Sequence, residues 1–199
     1  MMSVMAERGR RVVFVPKNRG LRDRVARIDG YLPGGDDVQH CEVRGEDVPQ
    51  LASEAARSFR AVFAVTGEDL LEEWLAAGNA LDPALVRGRI AWNQDDALFG
   101  RPSLCLIGPD GRALTRERCR VAICARYANL AERTLRPLER SLGFTFRRSY
   151  MQGALETVLE HDLADAIVDI VVTGRTIRRF DLSVLDVLFQ SDLATLETP

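Results

Sequence analysis

Lysine is all but missing from this chain of 199 residues: Lys17 stands alone among 27 basic residues, and the rest are arginine. A GC-rich genome that encodes arginine in preference accounts for the bias, and it marks the one lysine kept against it as a candidate for a specific task. Net charge is equally scarce, at −2. That argues against nucleic acid as the main partner, because tracking phosphates takes a clear basic excess. No apolar run approaches the roughly 18 to 20 residues that cross a bilayer. The first ten residues, MMSVMAERGR, lack the apolar stretch of a secretory signal. A cytoplasmic protein with no membrane partner is the expectation. Histidine is limited to His40 and His161, and the four cysteines (Cys41, Cys105, Cys119, Cys124) contain no C-x-x-C pair. Paired ligands at short spacing, the mark of structural zinc, are therefore missing, and no protein-held metal is expected. Cys105 and Cys124 sit in apolar, strand-like runs and read as buried reduced thiols.

What the chain does have is apolar content for a core, 46% against 28% charged residues, in one domain or two small lobes. RVVFV (11–15) reads as a buried strand that ends at Pro16 and opens into Lys17-Asn18-Arg19-Gly20, with a helix at 21–28. Residues 36–41 are polar and turn-rich. Asp47 as N-cap with Pro49 in the first turn predicts a helix over 49–58. AVFAV (61–65) is a second strand, followed by Thr66-Gly67 and a helix to about 77. Further strands are read at 103–108, 120–125, 144–150 and 166–172, with helices at 129–142 and 153–160 and one or two strands in 184–197. No internal repeat is visible. Nearly all-apolar strands alternating with helices predict an α/β protein with mixed, largely parallel sheets.

The segment richest in chemistry is LADAIVDIVVTGRTI (163–177). A buried strand delivers the chain to a tight turn, and a helix starts at once. Thr173, Gly174 and Thr176 place two hydroxyls and several unpaired N–H groups there, an arrangement that receives a phosphate monoester. Gly174 permits close backbone approach and Arg175 adds charge. Asp169, on the strand just before, is placed to accept hydrogen bonds from ribose hydroxyls. The plainer alternative is that Thr173 only caps the helix while Asp165 and Asp169 are solvated.

This segment resembles the phosphoribosyl-pyrophosphate loop of the ATP phosphoribosyltransferase family, the first enzymes of histidine biosynthesis. Further landmarks follow in order. Pro16-Lys17-Asn18-Arg19-Gly20-Leu21 resembles the loop after the family's first strand, and Arg44-x-x-Asp47-Val48-Pro49 its R-x-x-D-I-P element. Ala64 to Asp69 resembles G-I-T-G-x-D, Leu98 to Arg101 resembles G-F-G-R, Arg126 to Leu130 resembles K-Y-P-N-L, and Gly153-x-x-Glu156 resembles G-x-x-E.

The resemblance implies a two-lobed fold like a type II periplasmic binding protein, with a cleft between lobes: residues 1–99 with 181–199, and 100–180. It implies transfer of phosphoribose from phosphoribosyl pyrophosphate to N1 of ATP, with pyrophosphate leaving and Mg2+ carried by the diphosphate. Thr173, Gly174, Arg175 and Thr176 would hold the 5′-phosphate and Asp169 the ribose. Lys17, Arg19 and Arg44 would neutralise phosphates, and Glu156 would lie near the sugar. Arg44 reads equally as a solvated loop charge, and Glu156 as a helix-start acid. The length matches the family's short form, which lacks the C-terminal regulatory domain. That implies a separate regulatory subunit similar to histidyl-tRNA synthetase, in a homo- or hetero-oligomer. Departures from the family pattern stand at Val62, Ala64, Ala128 and Thr157-Val158. They leave open a phosphoribosyltransferase acting on another heterocycle, and a non-catalytic nucleotide-binding subunit.

Overall fold

The computed structural model describes residues 9–27, 32–153 and 155–199. Residues 1–8, read above for a leader, Ile28 at the end of the expected helix 21–28, and position 154 in the expected helix 153–160 lie outside the described residues. In chain order the first elements are β1 (Arg11–Pro16), α1 (Arg19–Val25), β2 (Val38–Val43), a 3-10 turn (Gly45–Asp47) running into α2 (Val48–Ala55), β3 (Ala61–Gly67), α3 (Glu68–Ala76) and β4 (Val86–Ile90). Then come β5 (Ser103–Pro109), β6 (Arg120–Cys124), a 3-10 turn (Ala125–Tyr127), α4 (Ala128–Leu142), β7 (Arg147–Met151) and α5 (Glu156–Glu160). The chain closes with β8 (Ala166–Val171), α6 (Arg175–Arg179), β9 (Leu182–Gln190) and β10 (Leu193–Glu197).

The chain divides into two compact units, residues 1–92 with 192–199, and residues 93–191. The expected divisions were 99/100 and 180/181. The return falls later because β9 pairs antiparallel with β5 inside the second unit, and only β10 rejoins the first.

Each unit holds one five-stranded sheet, ordered β2-β1-β3-β10-β4 in the first and β7-β6-β8-β5-β9 in the second. In the first, β1 lies parallel to β2 and β3, while β10 runs antiparallel between β3 and β4. In the second, β6 lies parallel to β7 and β8, while β5 runs antiparallel between β8 and β9. The sheets are mixed and share one strand plan, although no sequence repeat announces it. Parallel pairing is confined to the half of each sheet built by helical crossovers.

Apolar alternation makes the cores. Val12 and Phe14 of β1 and Val62 and Ala64 of β3 pack with Val48 and Ala52 of α2 and Leu71 of α3. In the second unit Cys105 and Ile107, Ala122, and Ile167 and Val171 pack under Leu155, Val158, Leu159 and Ile177. The structure corrects the sequence reading in three places. Residues 38–43 form a strand rather than a turn, and β4 was not anticipated at all. Both are edges of the first sheet and leave much of their length exposed, so neither carries the apolar run that betrays a buried strand. Asp47 does not cap α2 with its side chain; its carboxylate instead accepts from Arg44 Nε and Nη2 at 3.0 and 3.1 Å. Among the described residues no helix is long and apolar enough to cross a membrane.

Candidate active site

β8 is buried over Ala166, Ile167 and Val168 and carries the half-buried Asp169 before the chain turns. Gly174 takes φ 67 and ψ 13, left-handed values that an L side chain rarely adopts, and α6 begins at the next residue. Two contacts brace the turn from behind. Leu98 N–H donates to the Val172 carbonyl at 2.6 Å, and Arg178 Nη2 donates to the Thr173 carbonyl at 2.9 Å. Among the described residues, no acceptor engages the backbone N–H groups of Thr173, Gly174, Arg175 or Thr176. These donors border a cavity of about 270 Å³ that Asp169 and Glu156 also line. α6 is only five residues long, so the open N–H groups, more than a helix dipole, make this turn attractive to an anion.

Burial pushes the Asp169 carboxyl above the ordinary aspartate range, and the neighbouring Glu156 adds to that. The Ile170 N–H, donating to Oδ1 at 2.8 Å, the Cys124 thiol and Arg126 act in the opposite direction. Asp165, which the plainer reading left solvated, is instead paired: Arg120 holds it through Nε at 3.1 Å and Nη2 at 2.9 Å.

Of the residues singled out from sequence, Asp169, Thr173, Gly174, Arg175, Thr176 and Glu156 therefore line one cavity in the second unit. Lys17, Arg19 and Arg44 are exposed residues of the first unit. Lys17 and Arg44 both act on Asp47: the Arg44 guanidinium holds its carboxyl below the usual range, and Lys17 contributes. Sequence reasoning gave no role to Leu98, Arg178 or Cys124, all beside the turn or Asp169. Leu98 and Arg126 fell in landmark motifs, whereas nothing in the sequence placed Cys124 beside Asp169.

A second Val-Thr-Gly turn ends β3, at the position in the first sheet that β8 holds in the second. There Gly67 is extended (φ −70, ψ 140), and a Cβ on it would collide with the Asp69 carboxylate. Thr66 is buried and donates its hydroxyl to the Gly45 carbonyl at 2.7 Å. Glu68 N–H is taken by the Asp192 carbonyl at 2.8 Å. The Glu68 side chain accepts from Arg87 at 2.9 Å and lies 3.4 Å from Arg89. This turn is filled by the protein's own acids. Among the described residues no group of three or more His, Cys, Asp or Glu is arranged to hold a metal ion.

Fold and turn together define an α/β protein of the type II periplasmic-binding-protein architecture. The chain aligns with the ATP phosphoribosyl transferase (HisG:HisZ) complex from Thermotoga maritima at a TM-score of 0.65, with 23% identity, over 96% of this chain and 88% of that one. It aligns with the aliphatic sulphonate binding protein SsuA from Escherichia coli at 0.53, with 15% identity, over 96% of this chain and 65% of that one. The model of the ATP phosphoribosyltransferase family matches residues 44–197, and the chain belongs to that family. It is 32% identical over 145 residues to the ATP phosphoribosyltransferase of Methylococcus capsulatus, covering 72% of this chain and 57% of that protein. Against the Symbiobacterium thermophilum enzyme it is 34% identical over 86 residues, 43% of this chain and 37% of the relative. The match thus spans 57% of one relative's length and 37% of the other's, less than two thirds of either.

Proposed function

We propose that the chain transfers phosphoribose from phosphoribosyl pyrophosphate to N1 of the adenine of ATP, releasing pyrophosphate. The observation that carries this reading is the open turn at Thr173–Thr176 bordering one cavity with Asp169. In it the turn N–H groups and threonine hydroxyls hold the 5′-phosphate, Arg175 adds charge, and Asp169 accepts the ribose hydroxyls. Displacement at the anomeric carbon has a good leaving group and a cationic sugar in its transition state. It therefore needs positioning and charge neutralisation more than a strong base. Glu156, on the same cavity, is assigned to the side of the developing cation. Lys17, Arg19 and Arg44 are assigned, on charge alone, to polyphosphate neutralisation, for which Arg44 must exchange Asp47 for substrate. Magnesium enters with the diphosphate. A regulatory subunit is part of the proposal because the Thermotoga maritima relative was solved as a HisG:HisZ complex.

The departures from the family pattern weigh little against ATP as acceptor. Val62, Ala64 and Val158 are core residues, 2%, 0% and 6% exposed. Thr157 is exposed on α5 next to the cavity-lining Glu156, and it keeps a different heterocycle in view. The test is pyrophosphate release from phosphoribosyl pyrophosphate and magnesium, with and without ATP, for the chain alone and with a synthetase-like subunit. ATP-dependent release with an N1-ribosylated adenine is expected. Release that requires another heterocycle would establish the alternative, and donor binding with no turnover under any of these conditions would leave a nucleotide-binding subunit.

A further inference from the structure

Two cysteines flank Asp169 across the second sheet. Cys105 of β5 is its direct register partner. Cys124 ends β6 immediately after Ile123, which pairs with Val168. The thiols differ in use. Cys105 is fully buried and donates to the Ser103 carbonyl at 3.4 Å, and burial pushes it up to about 12. Cys124 is half-buried, and the β6–β8 register sets it beside Asp169, with which its thiol interacts. Burial, with Asp169 adding to it, keeps Cys124 protonated, so the thiol is the donor in that pair. The Ile170 N–H donates to the same carboxylate, on Oδ1 at 2.8 Å, so the scaffold sets one donor on Asp169's own strand and a second, the Cys124 thiol, on the neighbouring one.

We propose that Cys124 is a positioning residue: its Sγ–H donates to Asp169 and aims the carboxylate into the cavity, where it meets the ribose hydroxyls of the donor substrate. This rests on the reading of Asp169 as the ribose ligand. The thiol also has an electrostatic consequence. Glu156 of α5 and burial both favour protonated Asp169, while Arg126 from the turn after β6 and the Cys124 thiol favour the carboxylate. Cys105 from β5 faces Asp169 as a neutral thiol, and Arg175 lines the same cavity from the following turn. Removing the Cys124 donor shifts this balance toward the acid, so Asp169 loses its charge at a higher pH. A hydroxyl in its place donates again and restores it.

The test uses the full chain as wild type, Cys124→Ala and Cys124→Ser. Asp169 is titrated by carboxyl 13C NMR without ligand, and ribose 5-phosphate binding is measured calorimetrically over the same pH range. Cys124→Ala is expected to move the Asp169 titration to higher pH and to weaken ribose 5-phosphate roughly two- to tenfold, the scale of one hydrogen bond. Cys124→Ser is expected to recover most of both. An Asp169 titration unmoved in a folded Cys124→Ala protein would overturn the proposal. So would a moved titration with unchanged affinity, which a purely structural thiol would give. Failure of the wild type to bind ribose 5-phosphate would overturn the functional reading beneath it, and the ligand-free titration tells the two failures apart.

Discussion

The ends of β3 and β8 carry nearly the same letters and take different local structures. Val65-Thr66-Gly67 leads to Glu68-Asp69, and Val172-Thr173-Gly174 leads to Arg175-Thr176. In the first unit the acids supply negative charge to the start of α3 from within the chain, clasped by Arg87, Arg89 and Asp192. In the second no acid follows, Gly174 swings to positive φ, and the turn residues line a cavity. The two residues after the glycine distinguish a turn closed by its own acids from one left open beside a cavity, the turn proposed to receive the 5′-phosphate. Helix starts favour negative charge in either case, and only its source differs.

The sharpest way to break this comparison is to make the second turn like the first. Thr176→Asp places a carboxylate where the 5′-phosphate would sit. It is expected to lower ribose 5-phosphate affinity by at least about 100-fold, because like-charge juxtaposition costs several kcal/mol; calorimetry measures it, and unfolding should change little. Thr176→Ala and Asp169→Ala remove one partner each and are expected to cost about 1 to 3 kcal/mol of donor binding. A smaller pair of effects separates the two glycines. Gly67→Ala drives a Cβ into the buried Asp69 carboxylate and is expected to lose about 1 to 3 kcal/mol of stability with binding intact. Gly174→Ala forces alanine into φ 67, costs about 1 to 2 kcal/mol, and is expected to weaken binding as well; urea unfolding and titration distinguish them.

Acid separates the two aspartates of β8 and its approach more gently. Asp169 is raised by burial, so it weighs against folding while charged and is relieved as it takes up a proton. Asp165 is lowered by its Arg120 hydrogen bonds. Its contribution to stability is fully present above the unfolded aspartate value of about 3.9 and is lost as pH falls through the lower folded value. Ribose 5-phosphate affinity is therefore expected to fall at a higher pH than the stability of the second unit. Asp169→Asn, which leaves the ligand's own phosphate titration in place, is the reference for that measurement.

The most legible parts of the fold in the sequence were those where apolar runs meet a turn. β1, β3, β5, β6 and β8 are continuous apolar stretches, and the 163–177 segment exposed the whole strand–turn–helix unit with Asp169 in place. The edges of the first sheet were not legible, because β2 and β4 are half polar and carry no run to read. Asp47 holds the N-cap position read from the sequence, but its side chain makes no capping bond because Arg44 offers it two N–H donors at once. The pairing of Cys124 with Asp169 joins residues far apart in sequence, and only the β6–β8 register brings them together.

The central claim is that the turn after β8, and not its counterpart after β3, receives an external phosphate. Backbone amide NMR during a ribose 5-phosphate titration tests it most directly. The amide signals of Thr173, Gly174, Arg175 and Thr176 are expected to move together and saturate with the calorimetric affinity, while those of Gly67, Glu68 and Asp69 stay in place. Saturable binding that leaves the four amides of the second turn unmoved would contradict the account.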